Sequence, residues 1–280
     1  MILPALGFIT LFVLVPALYV VVLSTWHWNM LAIHPQFVGF ANYVHLFRSS
    51  TFLTSLVNSV LLAGGMLVMI LPIGFLLALL LNMKLRGTTV YRSILFSTYV
   101  FPLVGSGLVF SLLLNTNDGL VNDVLEKFGL HPIDWLGSSH YALLSVLIIS
   151  VWQYLGYYML IFLAGLQNVP KHLQDACTVD GGGTWATLKH VTLPSITPSI
   201  FFAVMVCLVQ SFQTFDQVYV MTNGGPNYAS ATLTYYIFNK GFQMFDIGPA
   251  AAASVILLIL LALVSFIQLK ISRRWVVEDA

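Results

Sequence analysis

The sequence predicts an all-α, polytopic membrane protein. One domain, 1–280, would send six helices through a bilayer, with both termini cytoplasmic. Three observations carry this. The chain is 59% hydrophobic and only 8% charged, with mean hydropathy +0.91. A soluble domain carries about a quarter charged residues, so this chain cannot make an ordinary wet surface. Six uncharged apolar runs occur at roughly 2–24, 53–81, 93–114, 141–165, 195–215 and 249–269. Each is near the ~20 helical residues that a bilayer requires. Finally, eight of the 11 lysines and arginines fall on one side: Lys84, Arg86, Arg92, Lys171, Lys189, Lys270, Arg273 and Arg274. Arg48, Lys127 and Lys240 fall on the other, and the positive-inside rule makes the first side cytoplasmic.

Composition also excludes. A net charge of +1 gives no electrostatic case for nucleic acid. Cys177 and Cys207 form neither a metal spacing nor a disulfide framework. The seven histidines include no HExxH and no helical ligand pair. Gly181-Gly182-Gly183 lacks the Lys and Ser/Thr of a phosphate-binding loop. No metal site, cofactor or catalytic pair is expected, so the chain is not read as an enzyme.

In chain order, the first run is too long and lacks the basic start of a cleavable signal peptide. Residues 25–52 hold Trp26, His27 and Trp28 and the run Phe37-Val38-Gly39-Phe40-Ala41-Asn42-Tyr43, aromatics suited to a membrane–water interface. In span two, Asn58, Gly64, Gly65, Pro72 and Gly74 read as close-packing and kink positions. Residues 115–140 offer Asn115, Asn117, Asp118-Gly119 and Trp135, with Asn115 at the outer mouth. Span four contains Trp152, Gln153, Tyr154, Tyr157 and Tyr158. Gln153 and Tyr157 are i, i+4, and either line a substrate path or pack helices.

Residues 166–194 form the longest soluble-looking loop on the cytoplasmic side. Leu173, Ala176 and Cys177 at i, i+3, i+4 predict one short helix. Asp180-Gly181-Gly182-Gly183 breaks it. Thr184 is expected to cap a second helix carrying Trp185, Leu188 and Val191, with a proline exit at Pro194. Two short helices on a glycine elbow make a docking device.

Span five ends Gln210-Ser211-Phe212-Gln213-Thr214-Phe215-Asp216-Gln217. Gln210, Gln213 and Gln217 recur at i, i+3, i+7, so a continuous helix would put them on one face beside Asp216. Amides and a carboxylate interleaved with Phe212, Phe215 and Tyr219 suit a sugar: amides pair with hydroxyls and rings stack on apolar sugar faces. The alternative is polar glue between helices, at about 0.6 kcal/mol a bond.

The loop Pro170, Asp175-Ala176-Cys177, Asp180-Gly181-Gly182 and Leu193-Pro194 resembles the EAA loop of permease subunits in binding-protein-dependent ABC importers. It departs by Asp for Glu, Cys for the second Ala, and Gly for the Ala after Asp-Gly. Phe37 to Tyr43 is similar to the FVGLxNY signature of sugar-importer permeases, and Thr222-Asn223-Gly224-Gly225-Pro226 to their TxGGP element. The resemblance covers nearly the whole chain and favours the carbohydrate, glycerol-phosphate and maltose branch. It implies the six-helix type I permease fold. It also implies ATPase docking through Asp175, Ala176, Cys177, Asp180, Gly181, Leu188 and Pro194, and a substrate path at Gln210, Phe212, Gln213, Asp216, Gln217, Gln153 and Tyr157. The implied partners are a second permease subunit, two ATPase subunits that bind ATP and Mg, an extracytoplasmic solute-binding protein, a carbohydrate and membrane lipid. The implied location is a bacterial or archaeal cytoplasmic membrane. Relatives usually carry a short basic segment before span one, so the N-terminus is expected to be brief or truncated. The rival classes are an ion-coupled secondary transporter, which would want ionisable groups within spans, and a non-transporting scaffold, which would not need the polar face of span five.

Overall fold

A computed structural model describes residues 3–29, 35–83 and 86–272. The start of the first run, Lys84, Arg273 and Arg274 lie outside them. Among the described residues, four helices are long and apolar enough to cross a membrane, and up to six if each of two bent pairs is one span.

The first apolar run is the helix Leu3–Leu23. A π-turn at Thr10–Leu14 precedes Pro16, which cannot donate a backbone hydrogen bond. None of its residues is buried, so lipid is the natural solvent for its side chains. A short antiparallel ribbon follows, Trp26–His27 against Gln36–Phe37 with Trp26 opposite Phe37. This small hairpin departs from the all-helical expectation. The amide of Asn42 fastens it to the next helix, Ala41–Arg48, by donating to the carbonyls of Ser24 (2.8 Å) and Trp26 (2.9 Å).

The centre of the molecule is the pair Ser50–Asn82 and Ala142–Gln167. Pro72 is absorbed within the first of these helices. The glycines expected to allow close packing do so unequally. A Cβ on Gly65 would meet Leu147 at 2.6 Å, and one on Gly74 would touch Met159 and Tyr158 at 3.4 Å, whereas one on Gly64 would meet nothing. Met66, Ile70, Ala78, Tyr158, Met159 and Phe162 form the core between the two helices.

The run 93–114 is not one straight helix. Thr88–Val100 and Leu103–Leu113 meet at 94°. Phe101-Pro102 explains the break: proline removes a donor and drives the preceding residue to extended backbone, and Phe101 has ψ 138°. Of the two readings of Gln153, lining a path or packing helices, its contacts are those of packing at this corner. It is fully buried, and its Nε2 donates to the carbonyls of Thr98 (2.5 Å) and Phe101 (3.0 Å). Gly156 lets the two helices touch, since a Cβ there would lie 2.0 Å from the Leu95 carbonyl oxygen. Asn115 folds into a local turn, accepting from the amides of Asn117 and Asp118.

The loop 166–194 forms two helices, Lys171–Val179 and Thr184–Ser195. Two details differ from expectation. Gly183, not Thr184, holds the N-cap position, without a side-chain cap. Pro194 does not end the second helix: a π-turn at Leu188–Thr192 absorbs it, and the chain turns by 64° into Thr197–Phe212. The last long helix is Ile247–Ser272.

Candidate functional site

The helix of span five ends at Phe212. Gln213 is its C-cap, and helical backbone resumes near Asp216, running into a π-turn at Val218–Thr222. No proline causes this break. The chain beyond it does. After Thr222 it reverses through a loop with positive φ at Asn223, Gly224, Asn227 and Tyr228, then returns to the level of the break. There the hydroxyls of Thr232 and Thr234 donate to the carbonyls of Thr214 (2.8 Å) and Phe212 (2.9 Å), which the interrupted helix leaves free. Asn58 holds the returning strand by donating to the carbonyls of Tyr228, Ala229 and Ala231, each at 3.0 Å. The hydroxyl of Ser59 accepts from the Leu233 amide at 2.7 Å. The expected packing role of Asn58 is therefore a specific clamp on a re-entrant loop.

The break redistributes the predicted glutamine face. Gln210, Gln213 and Gln217 do not share one continuous helix. Gln210 accepts from the Tyr158 hydroxyl at 2.6 Å. Gln213 is exposed. Gln217 is 2% exposed, and its Nε2 makes no hydrogen bond of good geometry, although it faces the Tyr154 phenol. Gln217 lies against the Tyr154 phenol, and the carboxylate of half-buried Asp216 is near enough to act on it electrostatically. Phe212 is buried, while Phe215 stacks on Tyr219 with centroids 5.4 Å apart and planes at 19°. Tyr157 stacks on Tyr99 at 4.7 Å. The structure thus gathers Asp216, Gln217 and Tyr154 at the break, with Gln210 and Gln213 at its edge, and sends Gln153 elsewhere. Tyr154 was absent from the expected site. Its i, i+3 spacing from Tyr157 is a weak signal, lost among four polar or aromatic neighbours.

A buried amide without a well-formed hydrogen bond is costly, about 1–3 kcal/mol. Here it lies beside a carboxylate, a phenol and stacked rings. That is a set of donors, acceptors and apolar faces able to orient a small polyhydroxylated ligand.

The second candidate site is the loop 166–194. Gly181 has φ +84°, a left-handed conformation that favours glycine. A Cβ on Gly182 would lie 2.6 Å from the Cys177 sulfur, so the elbow folds tightly over Cys177. Asp175, Ala176, Asp180 and Gly181 are exposed, and Cys177, Leu188 and Pro194 are half-buried. Leu173, Val179 and Trp185 are exposed apolar residues, with Val179 at 87%. The apolar residues of the second helix are unequally covered: Trp185 is exposed, and Leu188 and Val191 are half-buried. A cavity of about 900 Å³ lies between this loop and the end of Ser50–Asn82, lined in part by Leu79, Met83, Asp175 and Leu188. Leu173, Val179 and Trp185 thus leave exposed apolar surface among the polar groups of the elbow.

The fold is that of a multi-pass membrane protein, and comparison gives the family. Residues 70–277 match the model of the binding-protein-dependent transport system inner membrane component. The chain belongs to that family. It is 33% identical over 271 residues to the probable ABC transporter permease protein YurN of Bacillus subtilis, covering 95% of this chain and 92% of that one. It is 33% identical to the arabinooligosaccharides transport system permease protein AraP of the same organism, over 85% of this chain and 76% of that one. It is also 33% identical to the sn-glycerol-3-phosphate transport system permease protein UgpA of Yersinia pestis, over 98% and 93%. The fold is that of a chain in the crystal structure of a bacterial alginate ABC transporter with an alginate pentasaccharide-bound periplasmic protein, at TM-score 0.87 and 21% identity, covering 100% of this chain and 95% of that one. The protein is thus a multi-pass ABC importer permease and carries no enzymatic role of its own.

Proposed function

We propose that this permease forms half of the pathway for a carbohydrate or polyol derivative, with its path at the break in span five. A second, similar permease completes the pathway, and two ATPase subunits, which hold ATP and Mg, dock on the 166–194 loops. An extracytoplasmic solute-binding protein delivers the substrate. Both termini and the docking loop are cytoplasmic, in a bacterial or archaeal cytoplasmic membrane crossed six times. ATP binding closes the ATPase pair, the loops act as levers, and the spans rock to face outward.

The observation that carries the substrate reading is the buried amide of Gln217, whose Nε2 makes no well-formed hydrogen bond, facing the Tyr154 phenol with Asp216 nearby. Such a group is tolerated where a ligand hydroxyl completes it. Relatives named for arabinooligosaccharide and lactose transport support the substrate class. The secondary-transporter alternative fails on family membership.

The test is uptake per mole of purified, reconstituted complex. Gln213→Ala removes an exposed amide, and a lost hydrogen bond to a neutral hydroxyl costs about 0.5–1.5 kcal/mol. Uptake should fall about two- to tenfold, with ATPase stimulation by the unliganded binding protein unchanged. Unchanged uptake for both Gln210→Ala and Gln213→Ala would remove this face from the pathway.

A further inference from the structure

Beyond the break, a second set of rings continues in one direction. Phe215 stacks on Tyr219, and both touch Phe238, at centroid distances of 4.9 and 5.4 Å. Phe238 in turn stacks on Phe242, at 5.6 Å with planes 22° apart. These rings come from two helical stretches that start at the same level. Thr232 and Thr234 pin the second stretch to the break, so residues 216–222 and 233–243 both run away from it. Phe215 with Tyr219, and Phe238 with Phe242, are four residues apart in sequence, and their stacked centroids lie 5.4 and 5.6 Å apart. The rings therefore form a ladder with rungs about one helical turn apart, beginning beside Asp216 and ending at Phe242.

The ladder is accessible where a packing cluster would not be. Phe242 is 70% exposed and Tyr219 40%. It is also flanked by amides. Gln243 is exposed beside Phe242, and its carbonyl oxygen accepts from the Asn239 amide. A lipid-facing stripe has no use for these amides. A pyranose has use for the exposed one: its C–H face lies on the electron-rich ring and a hydroxyl reaches the Gln243 amide, which the buried Asn239 holds in place.

We infer that Phe215, Tyr219, Phe238 and Phe242 form a stacking track that holds an extended saccharide chain between the break in span five and the loop end of the bundle. The track rests on the carbohydrate reading and adds to it that the ligand is longer than one sugar ring. A monosaccharide at the break never reaches Phe242, whereas successive units of an oligosaccharide would.

The experiment uses the complete reconstituted transporter with its binding protein, offered arabinose, arabinobiose, arabinotriose, maltose, maltotriose, lactose and glycerol 3-phosphate. A wild-type transporter that takes up none of the saccharides overturns the carbohydrate reading and the track together. With a saccharide series in hand, Phe242→Leu removes the ring but keeps apolar bulk at an exposed position. Its kcat/KM should fall about two- to tenfold for the longest substrate taken up and stay within about twofold for the shortest, as expected for one lost stacking contact. Phe242→Trp should restore it. An equal loss for every length overturns the track alone, as does loss of ATPase stimulation by the unliganded binding protein, which would make Phe242 a protein contact. A reduced yield of assembled complex with normal uptake per complex also overturns it, as a subunit contact.

Discussion

Two buried glutamines on adjacent helices should respond oppositely to the same change. Gln153 is fully buried and Gln217 is 2% exposed. Gln153 spends its amide on the carbonyls of Thr98 and Phe101, whereas the Nε2 of Gln217 makes no well-formed bond and faces the Tyr154 phenol. Leucine at either position keeps the volume and removes the polar group. For Gln153→Leu, two interhelical hydrogen bonds at about 0.6 kcal/mol each give a floor of about 1.2 kcal/mol. Stranding two carbonyls at about 1–3 kcal/mol each would set a ceiling of about 6 kcal/mol. Two features favour the lower half. Phe101 is 56% exposed, so its carbonyl retains access to another partner, and the Oε1 of Gln153 is itself buried without one, so deleting it recovers part of the cost. We expect a loss of about 1–3 kcal/mol. Gln217→Leu deletes an amide that makes no well-formed bond, so the fold should hold or gain up to about 1 kcal/mol, while transport loses a ligand hydrogen bond, about two- to tenfold. Thermal melting of the purified assembly and uptake per mole of assembly, measured on both variants, read the two effects separately. The reasoning is refuted if Gln217→Leu melts as low as Gln153→Leu while uptake per complex stays at the wild-type value.

Two further outcomes follow from the docking loop and the charge asymmetry. Gly181→Pro forces φ from +84° to about −65° and deletes the bond from the Gly181 amide to the Thr178 carbonyl (3.1 Å), at a local cost of about 3 kcal/mol or more; membrane insertion should be normal, ATPase co-purification lost and transport abolished, and a normally coupled mutant would sink the lever role. Single cysteines in a background without Cys177 and Cys207 should label at Asp118 and Asn227 only from outside the cell and at Lys171 only from inside; external labelling at Lys171 would invert the orientation.

Composition and local spacing suffice for much of this protein. Apolar runs without charge fix the long helices, because water cannot solvate them and lipid can. The Asp-Gly elbow at 180–181 is legible for a similar reason, since glycine supplies the positive φ that a tight reversal requires. Pro102 offers a local sign of the corner in span three that helix length alone conceals. The break in span five has no such sign: Gln213-Thr214 is compatible with a helix, and the glutamine spacing reads through it for about two helical turns. What interrupts it is distant in sequence. Asn58 clamps the re-entrant loop across 170 residues or more, and Thr232 and Thr234 supply the hydroxyls that the freed carbonyls need. The same distinction sorts the glutamines. Their spacing suggests a shared role, but whether an amide finds a carbonyl, as Gln153 does, or makes no well-formed bond, as Gln217 does, depends on which helix packs beside it. A side chain's chemistry is written in the sequence; its hydrogen-bond partner exists only once the chain has returned to meet it.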